Sequence, residues 1–211
     1  MKKAILFDLD GTLWNSMPQI VESFNRALAR RPELKRQIDI TELQGWMGMD
    51  KFRLAAAMLP DRSPEERVAV LDECFAEELV WLRQSHGQPY PHLAETLEVL
   101  SRDYFLAIVS NCQKGYIETF LDTIGVGEYI CDHECFEATG RPKGENIRLV
   151  LERNGVERAI YLGDTQGDQD AADLAGVPFV WAAYGFGSIN RAAPSISALN
   201  ELPTLAKELL N

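Results

Sequence analysis

The residues of this chain best equipped for chemistry are carboxylates. Asp8 and Asp10 stand two apart at the end of a short apolar run. Side chains two apart along a strand point to the same side, so both can face one pocket. A second acidic pair, Asp164 and Asp168, lies in Gly163-Asp164-Thr165-Gln166-Gly167-Asp168 after another apolar run, where the glycines permit a tight strand-to-helix turn. Three or four carboxylates in one crevice repel each other and lose hydration, so they stay ionised only around a cation. Oxygen-only ligands favour Mg²⁺, which keeps several waters, shares a substrate phosphate and needs only one or two carboxylates plus a carbonyl. Ca²⁺ would want more ligands.

A basic counterpart occurs in Arg141-Pro142-Lys143-Gly144, where Lys143 enters a helix and can reach the same crevice. Ser110-Asn111 closes another apolar run. A hydroxyl and free backbone N–H groups there can hold phosphoryl oxygens. Taken singly, an Asp-x-Asp or a Ser-Asn pair is ordinary turn or cap chemistry, and a lone lysine is a surface residue. Together they form a set suited to phosphoryl transfer, provided that the fold brings them to one edge.

The elements that must do so are legible in outline. Lys3 to Leu9 reads as a buried parallel strand ending at a loop. From Met17 the period turns helical: Ile20, Val21, Phe24, Ala27 and Leu28 share one face, and Leu71, Phe75, Leu79 and Leu82 repeat the spacing. After Gly87 helices and strands alternate: helix 93–102, strand 105–110, helix 114–124, helix 145–154, strand 159–163, helix 168–175 and strand 178–182. This order predicts an α/β fold, a Rossmann-like doubly wound parallel sheet made of residues 1–15 and 88–211, with a small all-helical domain at 16–87. Ligands in such sheets sit beyond the carboxyl ends of the strands. Gln84 to Pro91, rich in Gly, Pro and polar residues, is the expected return hinge.

Composition narrows the partners. With 32 acidic against 21 basic residues in 211, the net charge of -11 leaves no broad basic face, so neither nucleic acid nor an anionic membrane is an expected partner. The apolar run after Lys2 and Lys3 is broken by Asp8, far short of a signal peptide's, and no stretch is long enough to span a bilayer. Cys74, Cys112, Cys131 and Cys135 are scattered, as in a reducing compartment, so the cytoplasm is the expected location. The helical pattern does not separate an exposed face from an interface; a monomer is the simplest expectation.

The motifs resemble those of the haloacid dehalogenase superfamily, in its phosphatase branch with a helical cap after the first strand (phosphoglycolate-phosphatase-like). Asp8-Leu9-Asp10-Gly11-Thr12 matches the first motif, Ser110-Asn111 the second, Lys143 the third and Gly163-Asp164-Thr165-x-x-Asp168 the fourth, in family order over nearly the whole chain. The resemblance implies an Mg²⁺-dependent phosphatase of small phosphorylated metabolites. In it Asp8 attacks phosphorus to form an aspartyl-phosphate, and Asp10 is general acid and base and also binds metal through its backbone carbonyl. Ser110 and Asn111 hold the phosphoryl group, Lys143 neutralises it, and Asp8, Asp164 and Asp168 complete the metal site. Residues 16–87 correspond to the mobile cap, and Gly45-Trp46-Met47-Gly48-Met49 to a specificity loop. Many relatives carry aspartate at the position of Asn15 and glycine at that of His92.

Several rivals are weaker. A dehalogenase typically lacks the second aspartate, which here is Asp10. Met47-Gly48-x-x-Lys51 resembles the segment that carries the Schiff-base lysine of phosphonate hydrolases, but those usually replace Asp10 by alanine. A sugar-phosphate mutase shares the core motifs without a positive sign here. A non-catalytic binding module would be expected to lose Asp8 or Lys143 first. The segment Cys131 to Cys135 invites zinc, yet it lacks a second ligand pair.

Overall fold

A computed structural model of the chain describes residues 1–210. In chain order its elements are β1 (Lys3–Phe7), β2 (Trp14–Asn15), α1 (Met17–Ala29), α2 (Ile40–Trp46), α3 (Lys51–Met58), α4 (Pro64–Ser85), β3 (Gln88–Pro89), α5 (Leu93–Ser101) and β4 (Phe105–Ser110). There follow α6 (Tyr116–Ile124), β5 (Asp132–Cys135), α7 (Phe136–Thr139), α8 (Lys143–Arg153), β6 (Arg158–Gly163), α9 (Gln166–Ala175), β7 (Phe179–Ala182), β8 (Ser195–Ile196) and α10 (Leu202–Leu210).

The central sheet runs β5-β4-β1-β6-β7-β8, and every pairing in it is parallel. β1 shows why the sequence demands two covering layers. Its alternate residues Ile5 and Phe7 pack into one apolar cluster with Leu97, Phe120 and Leu202, while Ala4 and Leu6 pack into another with Ile147, Val150 and Ala172. All four are fully buried. Burying a Leu, Ile or Phe side chain is worth about 1.5–3 kcal/mol, which holds α5, α6 and α10 on one face and α8 and α9 on the other. Because β4 and β6 flank β1, the chain reverses its winding there, which opens a crevice at the carboxyl end of β1.

Helices α1 to α4 pack around a cluster of their own, with Phe24 and Phe75 in edge contact at 6.0 Å. α4 starts at Ser63, whose hydroxyl accepts the Glu66 N–H at 3.2 Å, and Pro64 fills the first turn, where no amide donor is needed. The chain leaves for these helices and returns through β2 and β3, which pair side by side in antiparallel fashion. The expected hinge at 84–91 therefore coincides with the return strand, and Gly87 packs so closely on the Trp14 ring that a Cβ would collide with it.

The sequence-predicted helices and strands are all present, with boundaries that differ by a few residues. β1 ends at Phe7, not Leu9: the amides of Leu13 and Trp14 both turn back to the Leu9 carbonyl, and Gly11 sits at φ +83°. Six elements of the core are additional to those expected: β2, β3, β5, α7, β8 and α10. β5 is an edge strand of sequence DHEC, polar because Arg153 from α8 satisfies it, and so it carries no apolar signature. No helix is long and apolar enough to cross a membrane among the described residues.

Candidate active site

Parallel pairing aligns the carboxyl ends of β1, β4 and β6, and this alignment brings the sequence-predicted residues together. Asp8, Asp10, Ser110, Asn111 and Lys143 line one pocket. Asp164 and Asp168 join Asp8 in a buried group whose nearest oxygens lie within 4.8 Å of one another. Lys143, in the first turn of α8, donates from Nζ to Asp8 Oδ1 at 2.8 Å and to Asp168 Oδ1 at 2.6 Å. It is only 5 % exposed.

Each carboxylate is held differently. The second oxygen of Asp168 accepts from the backbone amides of Asp164 and Thr165 at 3.2 and 3.0 Å and from the Thr165 hydroxyl at 2.7 Å, so both its oxygens are committed. Asp164 Oδ2 accepts from the Phe186 and Gly187 amides at 2.7 and 3.2 Å, whereas its Oδ1 is buried without any hydrogen-bond partner. A buried carboxylate oxygen with no donor is costly to leave so, and it marks a place where a cation fits. Burial, together with the charges of Asp168 and Asp8, pushes the Asp164 carboxyl up to about 8. Burial and Asp168 push Asp8 up to about 7, against the pull of Lys143. Burial would lower Lys143, but the charges of Asp168 and Asp8 override it and hold its ammonium charged. Three carboxylates against one ammonium leave two negative charges uncompensated, which a divalent ion matches.

The Asp10 carboxylate stands apart from this group. Trp14 Nε1 at 2.9 Å, Tyr116 Oη at 2.7 Å and the Ser16 hydroxyl all donate to its Oδ1. Its place among the expected metal residues therefore rests on its backbone carbonyl alone. Burial raises its pKa, while the donors from Ser16, Tyr116 and Trp14 act the other way. With three donors converging on Oδ1, a proton on Asp10 belongs on Oδ2.

Of the expected loop at 45–49, Gly45 and Trp46 form the end of α2 and only Met47 onwards leads to α3; Trp46, Met47, Gly48 and Met49 stand in the pocket wall, where Asn111 Nδ2 donates to the Gly48 carbonyl at 2.9 Å. Lys51 is not in that wall. Its ammonium pairs with Asp72 and with Glu137, the latter at 2.7 Å. Burial would lower its pKa, but these partners raise it, so it lacks the uncharged amine of a Schiff-base former and is also less solvated than a free helix lysine. At the Cys131–Cys135 segment Asp132 and Glu134 are both bound by Arg153, at 2.8 Å each, Cys131 is exposed, and Cys135 is buried. No metal-sized cluster forms there among the described residues.

Sequence reasoning missed the partners of Asp10, the Phe186 and Gly187 amides, and Glu78 and Gln113, which line the pocket from α4 and the loop before α6. The glycines at 185 and 187 are the one readable signal: a Cβ on Gly185 would collide with Asp164. Ser16, Tyr116 and Glu78 carry no local motif.

Comparison with known proteins agrees with this geometry. A family model described as haloacid dehalogenase-like hydrolase matches residues 5–182. A phosphoglycolate phosphatase of Aquifex aeolicus is 30% identical over 92% of this chain and 91% of its own, and one of Agrobacterium fabrum is 28% identical over 87% and 82%. The crystal structure of a predicted phosphoglycolate phosphatase from Haemophilus somnus superimposes with a TM-score of 0.83 at 22% identity, covering 97% of this chain and 98% of that one, which shows the shared fold. The chain belongs to the haloacid dehalogenase-like hydrolase family and is a hydrolase of its phosphatase branch.

Proposed function

We propose that the chain is an Mg²⁺-dependent phosphatase of small phosphate monoesters that works through an aspartyl-phosphate at Asp8. The observation that carries this reading is the division of labour between the two aspartates of the first motif: Asp8 is buried against Lys143, and Asp10 is oriented by three donors in the same pocket. Asp8 and Asp164, with the Asp10 backbone carbonyl, would hold the ion, and Asp168, both of whose oxygens are taken, would orient Lys143 and the turn at Asp164. A bound Mg²⁺ would supply positive charge to the phosphoryl oxygens and relieve the repulsion among the carboxylates.

The remaining chemistry belongs to the chain. An Asp8 oxygen attacks phosphorus as the bond to the alcohol breaks, and Asp10 gives its proton to the departing alkoxide. Ser110 and Asn111 hydrogen-bond the transferring phosphoryl group, and Lys143 balances its charge. Asp10, now ionised, takes a proton from water as that water attacks phosphorus, which returns Asp8 and releases phosphate. Helices α1 to α4 form a mobile cap, residues 16–87, that closes on the core 1–15 and 88–211 through the β2–β3 hinge and excludes other water. The four free cysteines accord with a cytoplasmic location.

The test is phosphate release from p-nitrophenyl phosphate with Mg²⁺, with EDTA, and with Asp8→Asn. Release should need both the metal and Asp8, with kcat falling by roughly 10³-fold or more in the variant. Full activity in Asp8→Asn would refute the mechanism.

A further inference from the structure

The pocket over Asp8 is chemically lopsided. Its far wall is apolar, formed by Phe24, Leu43, Trp46, Met47, Leu54 and Phe75 from α1 to α4 and the loop between α2 and α3. The one lysine or arginine in its lining is Lys143, already shared between Asp8 and Asp168. The neighbouring cations of the helical part point elsewhere: Lys51 goes to Asp72 and Glu137, and Arg36, over the Trp46 ring, goes to Glu42 and the Met58 carbonyl. The ionisable side chain that α4 contributes is instead an acid. Glu78 is 2 % exposed and accepts a hydrogen bond from Gln113 Nε2 at 2.6 Å. In the same lining, Asn111 Oδ1 is buried without a partner, an acceptor that awaits a donor.

An alcohol that carries a carboxylate or a second phosphate needs a cation or a cluster of N–H groups to replace its water. Here it would be desolvated against hydrocarbon, and Glu78 supplies no positive charge to balance it. An uncharged alcohol with an apolar body would bury that body on Trp46, Phe24 and Phe75 and give a donor to the acceptors. Resting on the phosphatase reading of this site, we propose that the substrate is the phosphate monoester of an uncharged, largely apolar alcohol with a hydroxyl that reaches the Glu78–Gln113 pair. The apolar wall, with no free cation beside it, then turns away anionic alcohols such as glycolate, so that the substrate named for the curated relatives is not the one selected here, and Glu78 with Gln113 positions the hydroxyl of the alcohol.

Two measurements separate this inference from the reading on which it rests. Binding of benzyl phosphate and of 2-phosphoglycolate to Asp8→Asn with Mg²⁺ probes the pocket without turnover, and hydrolysis of both by the unaltered protein probes the chemistry. Benzyl phosphate should bind and be hydrolysed about 100-fold better than 2-phosphoglycolate. A benzyl phosphate that carries a ring hydroxymethyl group should bind about tenfold tighter than benzyl phosphate itself, and Glu78→Leu should abolish that difference; no difference in the unaltered pocket overturns the role of Glu78. Met47→Arg, which adds a cation to the pocket wall, should narrow the gap between benzyl phosphate and 2-phosphoglycolate roughly tenfold by improving the glycolate ester. Equal or tighter binding of 2-phosphoglycolate, or binding of neither ester, overturns the inference. Preferential binding of benzyl phosphate without hydrolysis of either ester upholds the pocket's preference and overturns the phosphatase reading instead.

Discussion

At the residue scale, two side chains sit where their own chemistry is a liability. His92 precedes α5 at φ +65°, a left-handed conformation that strains an L-residue, and its side chain makes no capping bond. Glycine, which adopts that conformation without strain, would suit the position. His92→Gly should stabilise the protein by about 0.5–1 kcal/mol, since relief of strain outweighs the added freedom of the unfolded chain. Thermal unfolding should rise by about 2 °C. Glu78 is the second case. Burial, reinforced by the charge of Asp10 and opposed by the Gln113 hydrogen bond, holds its carboxyl well above 4.5. The groups facing it are Asp10 from the β1–β2 turn, Tyr116 from α6 and Cys74 on its own helix. The folded state thus keeps a proton that the unfolded state has lost, and stability falls as pH rises from about 4.5 through the raised value. Glu78→Gln removes that penalty. The denaturant midpoint of the variant should gain on that of the parent as pH goes from 4.5 to 8; parallel curves would show that Glu78 does not titrate differently on folding.

At the element scale, β5 shows how an unpromising sequence becomes part of a sheet. Asp-His-Glu-Cys has little strand propensity, but parallel pairing with β4 and a fork from Arg153 to Asp132 and Glu134 hold it at the edge. Burial would raise Asp132, but the hydrogen bonds from Arg153 and Asn154 outweigh it and keep its pKa low. Its contribution is therefore present at neutral pH and is lost as pH falls through that lowered value. Because the Arg153 side chain is 36% exposed, water screens the pair. Arg153→Leu should cost about 0.5–1 kcal/mol at low salt and less at high salt, read from urea denaturation in each.

At the scale of the whole molecule, the helical part meets the rest of the chain through the Lys51–Glu137 ion pair, the hydrogen bonds Asn111 to the Gly48 carbonyl, Gln44 to the Phe186 carbonyl and Gln113 to Glu78, the edge contact of Phe52 with Phe136 at 6.1 Å, and the packing of Leu79 and Leu82 into the core cluster. The helical part also has a continuous cluster of its own around Phe24 and Phe75, which would let it move as one body in the closure proposed above. Lys51→Met removes the ion pair without touching the pocket wall. It should lower kcat/KM for a phosphate ester by roughly tenfold through weaker closure, with little change in the unfolding temperature. Unchanged kinetics would mean that this ion pair takes no part in closure.

The periodicity of residues 17–85 and the alternation after Gly87 determined the layers, because apolar spacing reports which face of each element must leave water. The glycine-flanked aspartates determined where the carboxylates gather, because a strand end followed by a tight turn has few other uses for Asp8 and Asp164. Only the tertiary structure decided how each carboxylate is held. Asp10 is drawn from the cluster by Trp14, Ser16 and Tyr116, one of them more than a hundred residues away, and Asp168 is saturated by Lys143 and its own turn. Glu78 and the apolar wall opposite Asp8 likewise arise from folding α1 to α4 over the sheet. Local sequence reports propensity and burial, whereas hydrogen-bond partners and charge balance depend on distances across the chain that no local pattern encodes.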